Sequence, residues 1–320
     1  MKKEFLQQKW DAIIEKSLCD LMRLAMREDS DGFLDITSLS LIPEEAKCRA
    51  AIVARSGGVL AGAAGLPAFT RLFNQEREEC WVDGRVRWEP VLKDGAVLAP
   101  GTVVGHVSGS AQAVLCWERL ALNLLGHLSG IATSTKACVD AICGTNARIY
   151  DTRKTTLAWR RLEKYAVRCG GGHNHRMGLY DHVLIKDNHL AHGATTGITP
   201  GQAVRDCRDY IKSTEDGEQV LKNLIIEVEV DTLDQLRDVL TQHPDIVLLD
   251  NMSCETMRNA VTLRNELSPE TELEASGGIT LQTLRAVAES GVERISLGAL
   301  THSAKNLDLG LDYEMERKES

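Results

Sequence analysis

The clearest signal of the fold class is the stretch LIIEVEVDTLDQLRDVLTQHPDIVLLDN, Leu224 to Asn251. It begins with a short apolar run, LIIEVEV, continues with apolar residues at helical spacing in TLDQLRDVLTQ, and ends with a second apolar run, DIVLLDN. Short apolar strands that alternate with helices are typical of a parallel sheet covered by helices. The stretch therefore predicts one β-α-β unit of an α/β domain.

The same alternation extends through the second half of the chain. Strands are predicted at ARIYDT, DHVLIKDN, ELEAS and ERISLGA, and helices at AWRRLEKYAVR, SCETMRNAVTLRNEL and TLQTLRAVAES. Residues 191–222 are predicted to form a loop and a helix. From 48 to about 113 the chain instead consists of short β-like runs broken by Gly, Pro and Asp-Gly turns. We therefore predict two domains, residues 1–113 and residues 114–320, and a C-terminal tail that packs back on the first domain.

The composition is that of a globular protein and restricts the function. The 320 residues carry a formal net charge of −9, which argues against general binding to nucleic acid or to an anionic membrane. No stretch is apolar over the roughly 18 residues that a membrane helix needs, and the start of the chain lacks the apolar run of a secretory signal. The nine cysteines are scattered without a zinc or redox spacing. We therefore predict a cytoplasmic protein with mostly free thiols.

Polar residues and glycines follow nearly every predicted strand of the second half. In a barrel of parallel strands these carboxyl ends meet on one face, where such barrels place their active sites. Polar residues also simply mark the ends of buried strands, but that explanation covers one or two positions and not the whole set. The set consists of Arg153, Lys154, Lys186, Glu229, Asp250, Ser276, Gly277, Gly278 and Gly298.

These residue types suit a substrate that is both phosphorylated and carboxylated. Arginine holds a carboxylate or phosphate by two hydrogen bonds, and lysine adds a movable point charge. The stretches SGGI (276–279) and LGAL (297–300) let backbone amides approach a phosphate in the last two strand loops. Glu229 and Asp250 can act as acid and base, hold a divalent metal or bind sugar hydroxyls. Glu227 faces the same side of its strand, but the cost of burying a charge favours Glu229, which is nearer the strand end.

A glycine-rich stretch, RCGGGHNHR from Arg168 to Arg176, leaves four interpretations open. It can be a metal site, a phosphate loop, a clamp for an acidic substrate or an ordinary turn. A zinc site lacks a fourth ligand and a recognised ligand spacing. A phosphate loop has better candidates after the last two predicted strands.

Eight motifs, in order along the chain, together make a specific pattern. They are ERLALNLLGHLSGIAT, DTRKTT, LEKYAVRCGGGHNHRMGLYD, VLIKDNH, IEVEVDTLDQL, LLDNM, EASGGI and ISLGALTHS. This pattern closely resembles that of the quinolinate phosphoribosyltransferases. The resemblance implies an N-terminal α/β sandwich domain followed by an incomplete, open α/β barrel. It also implies that phosphoribosyl pyrophosphate and quinolinate give nicotinate mononucleotide, pyrophosphate and carbon dioxide, with Mg²⁺ as cofactor, in de novo NAD biosynthesis.

The resemblance further implies a homodimer or hexamer with active sites at the subunit interface, and roles for individual residues. The implied quinolinate-binding residues are Arg119, supplied by the neighbouring subunit, Arg153, His175, Arg176 and Lys186. The implied catalytic and phosphoribosyl pyrophosphate-binding residues are Lys154, Lys186, Glu229 and Asp250, the last two also at the metal. The implied phosphate cradle is Ser276, Gly277, Gly278 and Gly298, with His302 close by. The glycine-rich stretch then becomes a turn that delivers its last two residues to quinolinate.

The chain departs from the family pattern at three places. Leu157 and Ala158 follow DTRKTT where many members have Pro-Gly, DSDGFLDIT lacks the usual Gly before DIT, and residues 193–222 are longer than in compact members. None of these departures removes a charged site residue.

Three rival functions follow from the same residues. A paralogue of the same fold in molybdenum metabolism would bind another substrate, but the retained set Arg119, Arg153, His175 and Arg176 argues against it. A barrel lyase would use Lys186 as a Schiff-base amine, which needs an apolar niche rather than the neighbours Asp187, Asn188 and His189. A non-catalytic scaffold would not need both phosphate loops and all the cations.

Overall fold

The computed structural model describes residues 3–31, 35–76, 85–193 and 198–314, and its contacts form two compact units. The barrel unit comprises the chain up to Gln7, Ala137–Lys154 and Gly172–Ala299. The sandwich unit comprises Gln8–Lys136, Thr155–Gly171 and the chain from Leu300. The two units interleave along the chain, so the boundary between residues 113 and 114 stays a prediction.

The helices and strands are numbered in chain order. They are α1 (Ala12–Ser30), α2 (Ile36–Leu41), β1 (Lys47–Ala54), β2 (Gly58–Val59), α3 (Leu66–Glu76), β3 (Val86–Pro90), β4 (Val97–Leu98), β5 (Val103–Ser110), α4 (Ala111–Ala141), β6 (Arg148–Tyr150), α5 (Arg160–Cys169), β7 (Val183–Ile185), α6 (Asp187–Gly193), α7 (Pro200–Lys212), α8 (Gly217–Asn223), β8 (Ile226–Val230), α9 (Leu233–Leu240), β9 (Ile246–Asp250), α10 (Cys254–Leu267), β10 (Glu272–Ser276), α11 (Leu281–Ala288), β11 (Arg294–Ser296), α12 (Ala299–His302) and β12 (Leu309–Tyr313).

The sandwich unit contains an antiparallel sheet in the order β12-β1-β5-β3 and a small sheet of β2 and β4. The C-terminal strand β12 pairs antiparallel with β1, with Leu309 opposite Ala54. Aromatic rings form a core in this unit, because Phe69 stacks on Trp117 with centroids 5.9 Å apart and Trp88 lies 5.8 Å from the same ring.

The barrel unit contains six parallel strands in the order β6-β11-β10-β9-β8-β7. Within the described segments no ladder joins the outer strands β6 and β7, so the barrel is open. Helices begin directly after the strands, where Thr232 and Ser253 accept hydrogen bonds from the first turns of α9 and α10. This architecture confirms the predicted α/β class, with an N-terminal sheet domain and an incomplete barrel.

Two expectations from the composition can be compared with the structure. The eight cysteines in the described segments are free thiols, as expected. In the same segments no helix combines the length and apolarity needed to span a bilayer.

The interior of the barrel holds charged residues, although branched apolar residues dominate most barrel interiors. Arg294 has no exposed surface, and its guanidinium lies 3.0 Å from Glu274 and 3.1 Å from Glu272. The ring of Tyr150 lies 3.7 Å from the guanidinium carbon. Burial alone would raise the pKa of Glu274, but the neighbouring His175 and Arg294 more than offset burial, and the net shift of the pKa is downward. Glu274 is therefore a charged carboxylate inside the barrel.

Phe5 packs against this charged interior. It is 2% exposed and packs with Tyr150, Ile225 and Ile246 in one apolar cluster. Ile225 and Ile246 lie at the starts of β8 and β9, whereas Tyr150 is the last residue of β6. The guanidinium carbon of Arg294 lies 4.8 Å from the Phe5 ring, so Phe5 also packs against the buried guanidinium.

Replacing Arg294 with Met should destabilise the protein strongly. The substitution leaves the Glu274 carboxylate buried without its cation, and breaking a buried pair from one side costs about 3–5 kcal/mol. Urea denaturation followed by circular dichroism measures the loss. As a control, Arg258→Gln changes an exposed arginine of α10 and should shift stability by less than about 0.5 kcal/mol. An Arg294→Met midpoint equal to that of the control would contradict this account of the barrel interior.

Candidate active site

Lys186 and Glu229 form an ion pair at the carboxyl end of two neighbouring strands. Lys186 directly follows β7, and its ammonium contacts a carboxylate oxygen of Glu229 on β8. Burial raises the pKa of Glu229, the nearby Asp250 and Asp187 charges also raise it, and the Lys186 contact lowers it, with a net upward shift. Two predicted site residues are thus in direct contact.

Asn251 connects the Asp250 carboxylate to the glycine loop after β10. Its side-chain Nδ2 donates to Oδ2 of Asp250 at 2.8 Å, and its backbone N–H donates to the Ser276 carbonyl at 3.0 Å. Asn251 is left-handed, with φ 51°, as is Gly277, with φ 92°. A Cβ on Gly277 would lie 2.3 Å from Oδ1 of Asn251, so this close approach requires glycine. Sequence reasoning missed Asn251, since nothing in LLDN distinguishes it from an ordinary strand end.

The two predicted phosphate loops lie between strands and helices. Ser276 ends β10, and Gly277 and Gly278 follow it before α11, where Thr280 N donates to Thr283 Oγ1 at 3.0 Å. Gly298 lies between β11 and α12. Backbone N–H groups and the positive partial charge of a helix amino end favour an anion at such a position. The phosphate-binding role of these residues stays a prediction.

The glycine-rich stretch is a turn that leads from α5 back to the barrel. Gly171 has φ 87°, in the left-handed region. His173 then runs beside β6, donating to the Ile149 carbonyl at 2.7 Å and accepting from Asp151 N–H at 3.1 Å. The Asp151 side chain, which is buried, accepts from Asn174 Nδ2 at 2.6 Å and from the next backbone N–H at 2.9 Å. Asp151 therefore fixes the turn, a role that the sequence motif DTRKTT did not reveal.

His175 faces the charged interior of the barrel. Its Nε2 lies 3.0 Å from Glu227 and 3.5 Å from Glu274, and the Phe5 ring stacks on it with centroids 4.4 Å apart. Its Nδ1 accepts the backbone N–H of Arg176 at 2.8 Å. Burial lowers the pKa of His175, whereas the two carboxylates raise it, with a net upward shift. The hydrogen bond from the Arg176 N–H opposes protonation of the ring at Nδ1, because it needs the Nδ1 lone pair as its acceptor.

Ligand atoms of His175, Glu227 and Glu274 lie within 4.8 Å of one another, which makes these residues a candidate metal centre. A metal on Nε2 would need a lone pair there and hence a proton on Nδ1. Nδ1 already accepts a hydrogen bond from Arg176, so the geometry corresponds to an Nε2–H tautomer, which places a proton beside the carboxylates. The arrangement thus favours a hydrogen-bonding cluster over a metal site.

Arg153 and Arg176 bring two guanidinium groups near each other. Arg176 is 6% exposed and donates from Nη1 to the His182 carbonyl at 3.2 Å. Burial lowers the pKa of Arg176, the positive charge of Arg153 lowers it further, and Glu227 and Asp181 raise it, with a net downward shift. Two cations that repel each other form a ready site for an anion. Lys154, next to Arg153 in the chain, is exposed.

Arg119 and His302 belong to the sandwich unit. Arg119 is exposed on α4, and His302, at the end of α12, has its Nδ1 2.6 Å from Ser303 Oγ. Their predicted roles as a partner-supplied arginine and a phosphate neighbour stay predictions.

The departures from the family pattern have the following structures. Leu157 is 89% exposed and Ala158 adopts φ 66°, so the chain makes a left-handed turn before α5 without Pro-Gly. Residues 191–222 contain the end of α6 and both α7 and α8, one helix more than predicted, and 194–197 lie outside the described residues. The three residues before DIT, 32–34, also lie outside them.

Replacing Gly277 with Ala should weaken phosphate binding. The new Cβ meets Asn251 Oδ1 at 2.3 Å in a left-handed backbone, and such strain costs about 1–3 kcal/mol. Calorimetric titration with inorganic phosphate measures the effect. Gly144→Ala is the matched control, because Gly144 also has a left-handed backbone, with φ 85°, lies outside the loop, and a Cβ there would meet nothing within 4 Å. Wild-type phosphate binding by Gly277→Ala would contradict the assignment of this loop.

The chain matches one protein family over most of its length. Residues 131–312 match the model for the quinolinate phosphoribosyl transferase C-terminal domain, and residues 35–129 match that for the N-terminal domain. The probable carboxylating nicotinate-nucleotide pyrophosphorylase of Bacillus subtilis is 40% identical over 289 residues, 90% of each chain. The carboxylating nicotinate-nucleotide pyrophosphorylase of Mycobacterium leprae is 41% identical over 295 residues, 92% of this chain and 96% of its own.

Solved structures lead to the same family. The nicotinate-nucleotide pyrophosphorylase from Francisella tularensis is similar with a TM-score of 0.80 and 31% identity, covering 97% of this chain and 100% of the other. Both the family model and the relatives cover the barrel and the sheet domain before it. The resemblance predicted from the eight ordered motifs is therefore confirmed, and the chain belongs to the quinolinate phosphoribosyltransferase family.

Proposed function

We propose that this protein transfers the phosphoribosyl group from phosphoribosyl pyrophosphate to quinolinate and releases carbon dioxide. The product is nicotinate mononucleotide, for de novo NAD biosynthesis. The main structural support is the Lys186–Glu229 ion pair at the carboxyl ends of neighbouring strands, in the unit where the charge of Arg153 also acts on Arg176. Membership of the family supports the reaction, and the relatives named for it cover about 90% of the chain.

The cations of the barrel unit suit a dicarboxylate substrate. Arg153 and Arg176 each offer a planar fork that can hold a carboxylate by two hydrogen bonds. A bound carboxylate would also offset the burial of Arg176 and the repulsion from Arg153, which together lower the pKa of Arg176 in the free protein. We assign quinolinate to these arginines, with Lys154 and Lys186 shared between quinolinate and phosphoribosyl pyrophosphate.

The chemistry requires orientation and charge stabilisation rather than a covalent nucleophile. The pyridine nitrogen attacks the ribose carbon as the bond to pyrophosphate breaks, and the Glu229 and Asp250 carboxylates stabilise positive charge on the ribose. The pyridinium that forms then accepts the electron pair left when the adjacent carboxylate departs as carbon dioxide. A proton takes the vacated ring carbon and completes nicotinate mononucleotide.

Glu229 and Asp250 fit the oxygen donors that Mg²⁺ prefers. They end adjacent parallel strands, β8 and β9, and the Asp250 charge acts on Glu229. We propose that these carboxylates would hold Mg²⁺, which when bound would supply positive charge to offset that of the pyrophosphate leaving group. Asn251 keeps one Asp250 oxygen in place by its 2.8 Å hydrogen bond.

We also propose a cytoplasmic homodimer or hexamer in which Arg119 of one subunit reaches the site of the next. Its exposure on α4 leaves the guanidinium accessible to a second copy. Against the lyase alternative, Lys186 contacts the Glu229 carboxylate, whereas a Schiff-base lysine requires an apolar niche. The phosphoribosyl-transfer function is therefore the better supported of the two.

Incubation of the purified protein with quinolinate, phosphoribosyl pyrophosphate and Mg²⁺ should form nicotinate mononucleotide and carbon dioxide in equal amounts. Chromatography of the nucleotide and trapping of labelled carbon dioxide provide the two measurements. Chelation of the metal should stop the reaction, and excess Mg²⁺ should restore it. A folded protein that makes no nicotinate mononucleotide would refute the proposed function.

Arg153→Ala should lose quinolinate binding far more than phosphoribosyl pyrophosphate binding. A charge-assisted hydrogen bond contributes about 1.5–3 kcal/mol, so the Kd for quinolinate should rise about 10- to 100-fold. Calorimetric titration with each substrate separately tests this. Arg205→Ala, on the exposed surface of α7, serves as the control and should leave both Kd values unchanged. Equal losses for the two substrates in Arg153→Ala would contradict the assigned role.

A further inference from the structure

Glu227 is a buried carboxylate that the proposed chemistry does not use. It has no exposed surface, and neither of its oxygens has a partner with standard hydrogen-bond geometry among the described residues. Nε2 of His175 lies 3.0 Å from Oε2 of Glu227. Burying a carboxylate without a strong partner destabilises a protein. The presence of Glu227 therefore needs an explanation other than stability.

The ring of His175 connects this carboxylate to the substrate-binding arginine. Nε2 faces Glu227, and Nδ1 on the opposite side of the ring accepts the backbone N–H of Arg176. Phe5 stacks on one face of the ring and leaves little freedom for it to rotate. The three groups therefore form one chain of contacts from the barrel interior to the Arg176 backbone.

The position of the proton on the His175 ring determines whether both of these contacts can form. A carboxylate beside Nε2 favours a proton on Nε2 over a proton on Nδ1, because Nε2 is the ring nitrogen that lies next to the negative charge, 3.0 Å from Oε2 of Glu227. Nδ1 then keeps its lone pair for Arg176 N–H. With the proton on Nδ1 instead, two N–H groups would face each other and the Arg176 backbone would have to move.

We propose that Glu227 is a positioning residue for substrate binding, which selects the Nε2–H tautomer of His175 and thereby fixes the backbone and the guanidinium of Arg176. The inference rests on the proposed function for its substrate, quinolinate. Glu274 assists from 3.5 Å but is already paired with Arg294 at 3.0 Å, so the selection falls mainly to Glu227.

Two substitutions separate this role from a structural one. Glu227→Gln retains a carbonyl oxygen that can accept Nε2–H, whereas Glu227→Leu keeps a similar volume without an acceptor. Glu227→Leu should raise the KM for quinolinate about tenfold or more and alter kcat and the KM for phosphoribosyl pyrophosphate by less than about threefold. Glu227→Gln should keep the KM for quinolinate within about threefold of the wild-type value.

Glu272→Leu is the matched control, because Glu272 is 6% exposed in the same interior and pairs with Arg148 and Arg294. It should leave the KM for quinolinate within about threefold of wild type, whatever its effect on stability. If it raises that KM as much as Glu227→Leu does, or if Glu227→Leu affects both substrates equally, the positioning role is wrong.

Nitrogen-15 NMR of labelled histidine in the wild-type protein tests the same inference without any variant. His175 should show a pyridine-type Nδ1 signal and a pyrrole-type Nε2 signal, assigned by loss of both in His175→Gln. A protonated Nδ1 would overturn the proposal even if the variants fail to fold. The spectrum does not depend on turnover, so an inactive wild type would refute the proposed function while the tautomer could still be read.

Discussion

The pairing of Arg294 with Glu274 inside the barrel is the interaction on which the rest of the structure depends. A guanidinium without exposed surface is tolerated only where carboxylates and aromatic faces replace water, and Glu274, Glu272, Tyr150 and Phe5 supply them. The barrel interior thereby holds fixed charge alongside buried apolar side chains such as Ile246 and Leu248. His175 connects this charged interior to Arg176, which we assign to substrate binding, because it contacts Glu227 and Glu274 through Nε2 and the Arg176 N–H through Nδ1.

The parallel sheet arranges these charges by depth. Along β8, Glu227 lies within the barrel and Glu229 lies two residues further on, where it meets Lys186. Along β10, Glu274 lies inside and Ser276 lies at the carboxyl end, opposite Asp250 of β9. Alternation of side chains along a strand points both members of each pair to the same face. On each strand the earlier residue, Glu227 or Glu274, therefore lies in the barrel interior. The later residue, Glu229 or Ser276, lies at the carboxyl end, where we assign the substrate.

Much of this was predictable from sequence, because it depends on local pattern. The β-α-β alternation gave the parallel sheet, and polar strand ends located the candidate face. Glu227, Asp151 and Asn251 were not assigned roles, because each acts on a group distant in the chain. Glu227 contacts a histidine 52 positions earlier in the numbering, and Asp151 secures a turn more than 20 residues later. The extra helix within 191–222 was missed because its polar surface gave no clear apolar period.

A crystal structure of the protein with quinolinate tests the central claim most directly, namely that the charged barrel interior holds the substrate-binding arginine in place. We expect the quinolinate carboxylates to bind the guanidinium groups of Arg153 and Arg176. The His175 ring should keep Nε2 about 3.0 Å from Glu227 and Nδ1 on the Arg176 N–H, as in the free protein. Quinolinate bound away from both arginines, or a His175 ring turned out of its contact with Glu227, would contradict it.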